Sequence, residues 1–403
     1  MHNSDTLIKL DVGKQKLFNK VWLARKFVIS TNLILALFSP LVSFYMGILF
    51  LLACSQYVDR KTVKWIGYVC AYSGSIMAAS RKTLESSDDF THYYAAYLHI
   101  LNDGWSAIFD SYGTEIGLPI YYFALSRLGI TNQIFPLFAV AMLSSAIFVK
   151  WLDKYGSSYF PSSRYGTMMA ISLLFYNFFM ATEATRQTMS LSFLLIAISV
   201  AGLRSLVWLF CALLLHQSSL LMFIMFKYAK RMNWFSVILV LCLGIVFMLF
   251  FNQVVEIAVT SDIDFIRVAS KLSYYTTSNE TYTDADMSGL KFISISCFVA
   301  LLSAKYMPQG WGLLVLLVGV LYVLFLPYPL VSLRTFLIFV AILAGYIASF
   351  MAFRIGWTQI SWLAFIYALY TILKQFNVAD NYPFTLWDKF DWIGHYPFYY
   401  FLK

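Results

Sequence analysis

The chain has 403 residues, of which 60% are hydrophobic and 12% charged, with a formal net charge of +9. So few charged side chains cannot coat a globule of this length, which excludes a soluble domain and selects a polytopic membrane protein. The positive excess does not point to nucleic acid, because the lysines and arginines stand at the ends of apolar runs, where the positive-inside rule expects them.

The first 26 residues hold Lys9, Lys14, Lys16, Lys20, Arg25 and Lys26 and no apolar core. Residues 1–26 therefore read as a basic cytoplasmic segment and not as a cleavable leader. Apolar runs follow at 27–56, 63–79, 133–151, 167–181, 187–203, 205–226, 236–251, 292–304, 311–326, 331–353 and 355–373. They lack the alternation of membrane-barrel strands, so the expected fold class is all-α: one transmembrane domain over 27–373, with about 11–14 membrane helices or half-helices. Residues 374–403 form a short tail, aromatic at its end, to which no chemistry is assigned. Cys54, Cys70, Cys211, Cys242 and Cys297 lie in or beside apolar runs without a CxxC pair and read as small core residues.

Loop charge orients the runs. Basic clusters around Arg60, Lys61 and Lys64, Lys150 to Arg164, Lys227 to Arg231, Lys305 and Arg354 belong inside. Two loops, 80–131 and 252–290, are short of Lys and Arg and rich in carboxylates, and are placed outside. Both placements require helical hairpins, at 27–56 with its tip at Ser39-Pro40 and at 205–226 with its tip at His216-Gln217-Ser218-Ser219. A limb of about twelve residues reaches ~18 Å, short of the ~30 Å hydrocarbon core, so the His216 tip would stop inside protein or a wet cavity. A single straight crossing by 205–226 is the rival reading and would put Lys227, Lys230 and Arg231 outside. The segment 116–128 is too short to cross and reads as an interfacial helix on the outer side.

Arg186 stands at the outer end of the run 187–203, and His216 climbs back towards it. About seventeen residues down and twelve back up leave the two only ~8 Å apart in height. Ionisable groups at membrane depth are costly and mark functional sites. Arg334, after the break at Pro327-Tyr328-Pro329, opens the next span on the same side. Blander readings compete: Glu183 lies one helical step before Arg186 and would pair with it, and Tyr93, Tyr94 and Tyr97 would serve as an interfacial aromatic belt. Arginine forks suit a diphosphate, and a neutral histidine can take the proton of an attacking hydroxyl. The combination describes transfer of a group from a lipid diphosphate to a hydroxyl at the outer face. No metal-ligand spacing accompanies it, so neither a metal nor a cofactor is expected.

These residues are similar to those of the EpsG and Wzy group of bacterial polysaccharide polymerases. Asp89-Phe90-Thr91-His92-Tyr93 stands where that group has D-Y-x-x-Y, with Phe for the first Tyr. Glu115-Ile116-Gly117 resembles its E-x-G element, Arg186-Gln187 its R-Q pair, and His216-Gln217-Ser218-Ser219-Leu220 its H-x-S-x-L element. Arg81 resembles an arginine that precedes the first motif, about two residues further from it here. The resemblance runs in order over roughly residues 60 to 350. It implies a metal-independent glycosyltransferase of the bacterial inner membrane with its site facing the periplasm, polymerising undecaprenyl-diphosphate-linked repeat units into O-antigen or capsule. By analogy His216, Arg186 and Arg334 would be catalytic, while Asp89, Tyr93, Glu115, Arg81 and Gln187 would bind substrate, with Asp89 an alternative base. The implied partners are the lipid-linked oligosaccharide, membrane lipids, a chain-length regulator and a repeat-unit flippase, and no nucleic acid. An O-antigen ligase or a flippase of the repeat unit are the alternatives. The acidic loop 252–290, with Tyr274, Tyr275 and Tyr282, is the part expected to touch the glycan.

Overall fold

The computed structural model describes residues 26–54, 57–81, 89–110, 112–231, 233–260, 283–326, 332, 336–376 and 389–402; among these the regular structure is helical and no strand occurs. The chain opens with α1 (Lys26–Phe38) and α2 (Pro40–Cys54). Pro40 begins α2, where its missing N–H leaves no helical bond unmade. In one straight helix Asn32 and Ser43 would stand about 16 Å apart along the axis. Ser43 Oγ instead lies 3.0 Å from both the backbone and the side-chain oxygen of Asn32, so α1 and α2 form an antiparallel hairpin with its tip at Ser39.

Next comes α3 (Arg60–Ala79), which packs on α2 and on α6 (Ile134–Lys154). Hydroxyls and small residues make these contacts: Ser73 Oγ donates to Ser43 Oγ at 3.0 Å, and the hydroxyls of Ser75 and Ser145 are 3.3 Å apart. Ser144 of α6 meets Ser192 of α9 (Thr185–Ser199) at 2.7 Å. Between α3 and α6 lie α4 (Asp89–Asp103) and α5 (Gly117–Ser126), packed on each other. Tyr93 and Tyr97 are therefore buried and do not form a surface belt; Tyr97 donates to Ile130 O at 2.7 Å and meets the Tyr122 ring edge-on.

The run 167–181, expected as one span, is broken into α7 (Tyr165–Leu174) and α8 (Phe178–Glu183). The backbone N–H of Asn177 donates to Ala341 O at 2.8 Å, and its side chain caps Met180 N at 3.1 Å. The chain exchanges helical bonds there for bonds to a π-helical turn, Ile338–Ile342, which interrupts the expected run 331–353 in its turn.

After α9, α10 (Leu203–Leu215) returns and α11 (Ser219–Ala229) descends again. Ser190 Oγ, near the start of α9, donates to Ala212 O at 2.6 Å, near the end of α10. Lys227 Nζ, near the end of α11, donates to Val200 O at 3.4 Å, just past the end of α9. α10 and α11 are thus a hairpin whose turn is His216-Gln217-Ser218. The longer helices that follow are α12 (Trp234–Thr260), α13 (Thr283–Ser303), α14 (Trp311–Leu324), α15 (Ala344–Ser349) and α16 (Trp357–Phe376), with a single turn at Ala352–Ile355 between the last two. The flanks of the expected outer loop 252–290 are accordingly helical, and Tyr274, Tyr275 and Tyr282 lie outside the described residues.

Among the described residues one helix, Ile134–Lys154, is long and apolar enough to cross a membrane alone, and the other apolar helical stretches run to 10–17 residues. One end of the bundle is basic. Arg60 Nε and Lys64 Nζ each lie 3.0 Å from the Asp153 carboxylate, Arg354 Nε donates to Leu302 O at 2.7 Å, and Gln309 Nε2 donates to Lys230 O at 3.3 Å. At the opposite end stand both hairpin tips. There residues 389–402 fold over α1, whose last carbonyls have no partner within the helix. Gly394 N donates to Phe38 O at 2.8 Å, Phe398 N to Leu37 O at 3.1 Å, and Tyr400 Oη to Ala36 O at 3.2 Å. The aromatic tail is thus part of the core, with Phe390, Tyr399 and Tyr400 buried.

Candidate active site

The turn between α10 and α11 is where site residues from three separate stretches meet. Leu215 ends α10, and His216 leaves it in an extended conformation. Opposite it, the loop before α5 delivers Glu115. Gly117 makes this approach possible: a Cβ there would lie 2.9 Å from both the carbonyl carbon and oxygen of Leu214. The glycine of the Glu115-Ile116-Gly117 element lets the loop backbone close on the tip of the hairpin.

Glu115 is 3% exposed, and both of its oxygens are engaged. Oε1 lies 3.0 Å from His216 Nδ1 and accepts the backbone N–H of Gln217 at 3.1 Å. Oε2 accepts Nη1 of Arg186, one residue into α9. Gln217 Nε2 adds a bond to Thr114 Oγ1 at 2.6 Å. The Glu115 carboxylate thus meets the guanidinium from 71 residues away in sequence. Burial by itself would push the Glu115 carboxyl up. The hydrogen bond of His216 and, when the imidazole is protonated, its charge, together with the charge of Arg186 and the Gln217 N–H, outweigh burial and hold it down at about 2. The group is a carboxylate throughout the physiological range.

Aromatic rings wall Arg186. Its guanidinium carbon lies 4.5 Å from the Tyr112 ring centroid and 5.7 Å from that of Tyr93. Arg186 Nε is buried with no acceptor among the described residues, as are the hydroxyls of Tyr112 and Tyr122. Burial first, and Tyr93 second, push the Tyr112 phenol well up, so it stays neutral. On the imidazole, Nδ1 is engaged and Nε2 makes no hydrogen bond among the described residues.

Of the other expected residues, Gln187 is buried beside Arg186, and Asp89 opens α4, within electrostatic reach of Tyr112. Arg81 is 1% exposed; its Nε donates to Thr182 Oγ1 at 2.9 Å, and its guanidinium lies 4.8 Å from the Phe179 ring centroid. Arg334 lies outside the described residues. Tyr112, Thr114 and Thr182 were not singled out from the sequence. The first two flank Glu115 within three residues, a local signal that was available, whereas Thr182 meets Arg81 only through the fold.

A model of the EpsG family matches residues 65–388, most of the chain and the whole of this arrangement. The chain belongs to the EpsG family. EpsG membership makes it a membrane protein and a transferase of polysaccharide biosynthesis, of the glycosyltransferase-like polymerase kind. No curated protein and no solved structure matches the chain significantly.

Proposed function

We propose that this EpsG-family protein polymerises polyprenyl-diphosphate-linked oligosaccharide repeat units into O-antigen or capsular polysaccharide at the periplasmic face of the bacterial inner membrane. The observation that carries the reading is the pairing of an imidazole whose Nε2 makes no hydrogen bond with a half-buried arginine whose Nε is buried without an acceptor, both among the described residues. A buried N–H without a partner is costly, and an anion supplies the missing acceptor.

In the proposed reaction a hydroxyl of the acceptor repeat attacks the anomeric carbon of the donor chain. The new C–O bond forms as the bond from that carbon to the diphosphate oxygen breaks, and the diphosphate leaves with the electron pair. His216 Nε2 takes the hydroxyl proton. Arg186, and with it Arg334 as the loop charges and the resemblance imply, neutralises the departing diphosphate. Asp89 would meet the sugars, while Tyr93, Arg81 and Gln187, all buried, would support the site from within. The acceptor and donor are the partners required; a chain-length regulator and a flippase would act on the same lipid-linked chains.

A multi-pass, bilayer-embedded bundle is part of this proposal. Its outward faces are apolar, as with Leu206, Phe210, Leu243, Trp362 and Ile366, and buried serines pair across contacts in its interior. An apolar exterior with small polar residues between helices suits lipid as solvent. The short limbs of the two hairpins would enter and leave on one side, their tips stopping within the bundle.

Deleting the gene and separating the surface polysaccharide on a gel tests the reading. Retention of a single-repeat band with loss of the ladder is the expected result. Loss of every surface repeat would indicate transport or ligation instead.

A further inference from the structure

We propose that Glu115 is the positioning residue of this site: its carboxylate fixes His216 with a hydrogen on Nδ1 and the lone pair on Nε2, and anchors Arg186 against the same group. The inference rests on the acid–base reading of His216 given above. The resemblance implied a sugar-binding role for Glu115, and the geometry points elsewhere.

Oε1 already accepts the backbone N–H of Gln217, so it is an acceptor. An acceptor 3.0 Å from Nδ1 requires that nitrogen to carry the hydrogen, and a neutral imidazole then presents its lone pair at Nε2. The same logic makes a carboxylate behind a histidine essential in hydrolytic triads, where it sets tautomer and orientation without touching substrate. Oε2 is taken by Arg186, and the side chain is 4% exposed, which leaves little room for a sugar hydroxyl. The mount is rigid, because Gly117 lies against the Leu214 carbonyl and Gln217 is tied to Thr114. The ionisable groups facing Glu115 are Arg186 from α9 and His216 from the hairpin tip. Tyr93 of α4 and Tyr112 of the loop lie behind Arg186, with Asp89 acting on Tyr112.

The test uses the full-length protein in proteoliposomes, with the lipid-linked repeat unit extracted from the deletion host as the probe. Glu115→Gln is expected to lower kcat by about 10²–10⁴-fold with KM changed less than about threefold. Without the anion behind the imidazole, the acid limb of the pH profile of kcat/KM moves to lower pH. The double variant Glu115→Gln with His216→Ala is expected to lose far less relative to His216→Ala than Glu115→Gln loses relative to the parent, because only Arg186 is then left for Glu115 to position. Should Glu115→Gln not elute as a folded species, Glu115→Asp keeps the charge and the acceptor; it is expected to lose kcat while the acid limb stays in place. Wild-type kcat and profile in Glu115→Gln, or a displaced limb in Glu115→Asp, would overturn the inference while leaving an inactive His216→Ala to support the polymerase reading. Full activity in His216→Ala would overturn both.

Discussion

Glu115 gathers an arginine, a histidine and a backbone N–H around one buried carboxylate, and this has a pH consequence. Held at about 2 against an ordinary value of 4.5, it binds its proton less readily in the folded than in the unfolded chain. A depressed carboxyl contributes stability above its unfolded value; here that contribution is about 3 kcal/mol at most, and it is lost as pH falls from about 4.5 towards 2. The melting midpoint of Glu115→Gln in detergent is therefore expected to lie below that of the parent at pH 7, and the gap to narrow below pH 4.5. Scanning fluorimetry of both proteins at pH 7, 4.5 and 3 measures it, and a gap that stays constant at pH 3 would assign the difference to packing. Arg186 and His216 were legible in the sequence as costly charges at membrane depth. Their partner was not: sequence proximity favours Glu183, and only the fold carries Glu115 across to α9.

At the scale of elements, the hairpins were written in the distribution of charge, because basic loops on both sides of a short apolar run force the chain to turn within it. The break at Asn177 was not, since it depends on a carbonyl of a π-helical turn far along the chain. Gly117 shows what a short motif encodes physically. Gly117→Val would drive the loop from Leu214, part the Glu115 carboxylate from His216 and Gln217, and lower stability by about 1–3 kcal/mol. The expected outcome is a protein present in the membrane by immunoblot whose polymer ladder is shortened or lost; a normal ladder would mean the loop has room to shift. The tail argues similarly. Tyr400 Oη, buried, donates to Ala36 O and lies 2.8 Å from the hydroxyl of half-buried Tyr72. Tyr400→Phe is expected to cost about 1–3 kcal/mol, read as a lowered melting midpoint, because it leaves the buried Ala36 carbonyl and Tyr72 hydroxyl short of a partner.

For the whole molecule, the two ends of the bundle differ in kind. Arg60, Lys64, Lys227, Lys230 and Arg354 gather at one end, and the Glu115–His216–Arg186 cluster, the Ser39 tip and the C-terminal segment at the other. Charge of this asymmetry orients a helical membrane protein with the basic end in the cytoplasm. The decisive comparison lies on either side of the second hairpin. If α10 and α11 turn back at His216, then Gly202 before α10 and Lys230 after α11 face the same compartment, while Gln217 faces the opposite one. If 203–229 were one crossing, Gly202 and Lys230 would face opposite compartments and the catalytic reading of His216 would lose its place at the outer face. Single cysteines at these three positions, in a chain freed of its five native ones, distinguish the two arrangements. A membrane-impermeant maleimide added to cells with a permeable outer membrane is expected to label the cysteine at 217, and those at 202 and 230 only after the inner membrane is opened. Labelling of exactly one of the latter pair from outside would establish the single crossing and remove the geometric basis for the site.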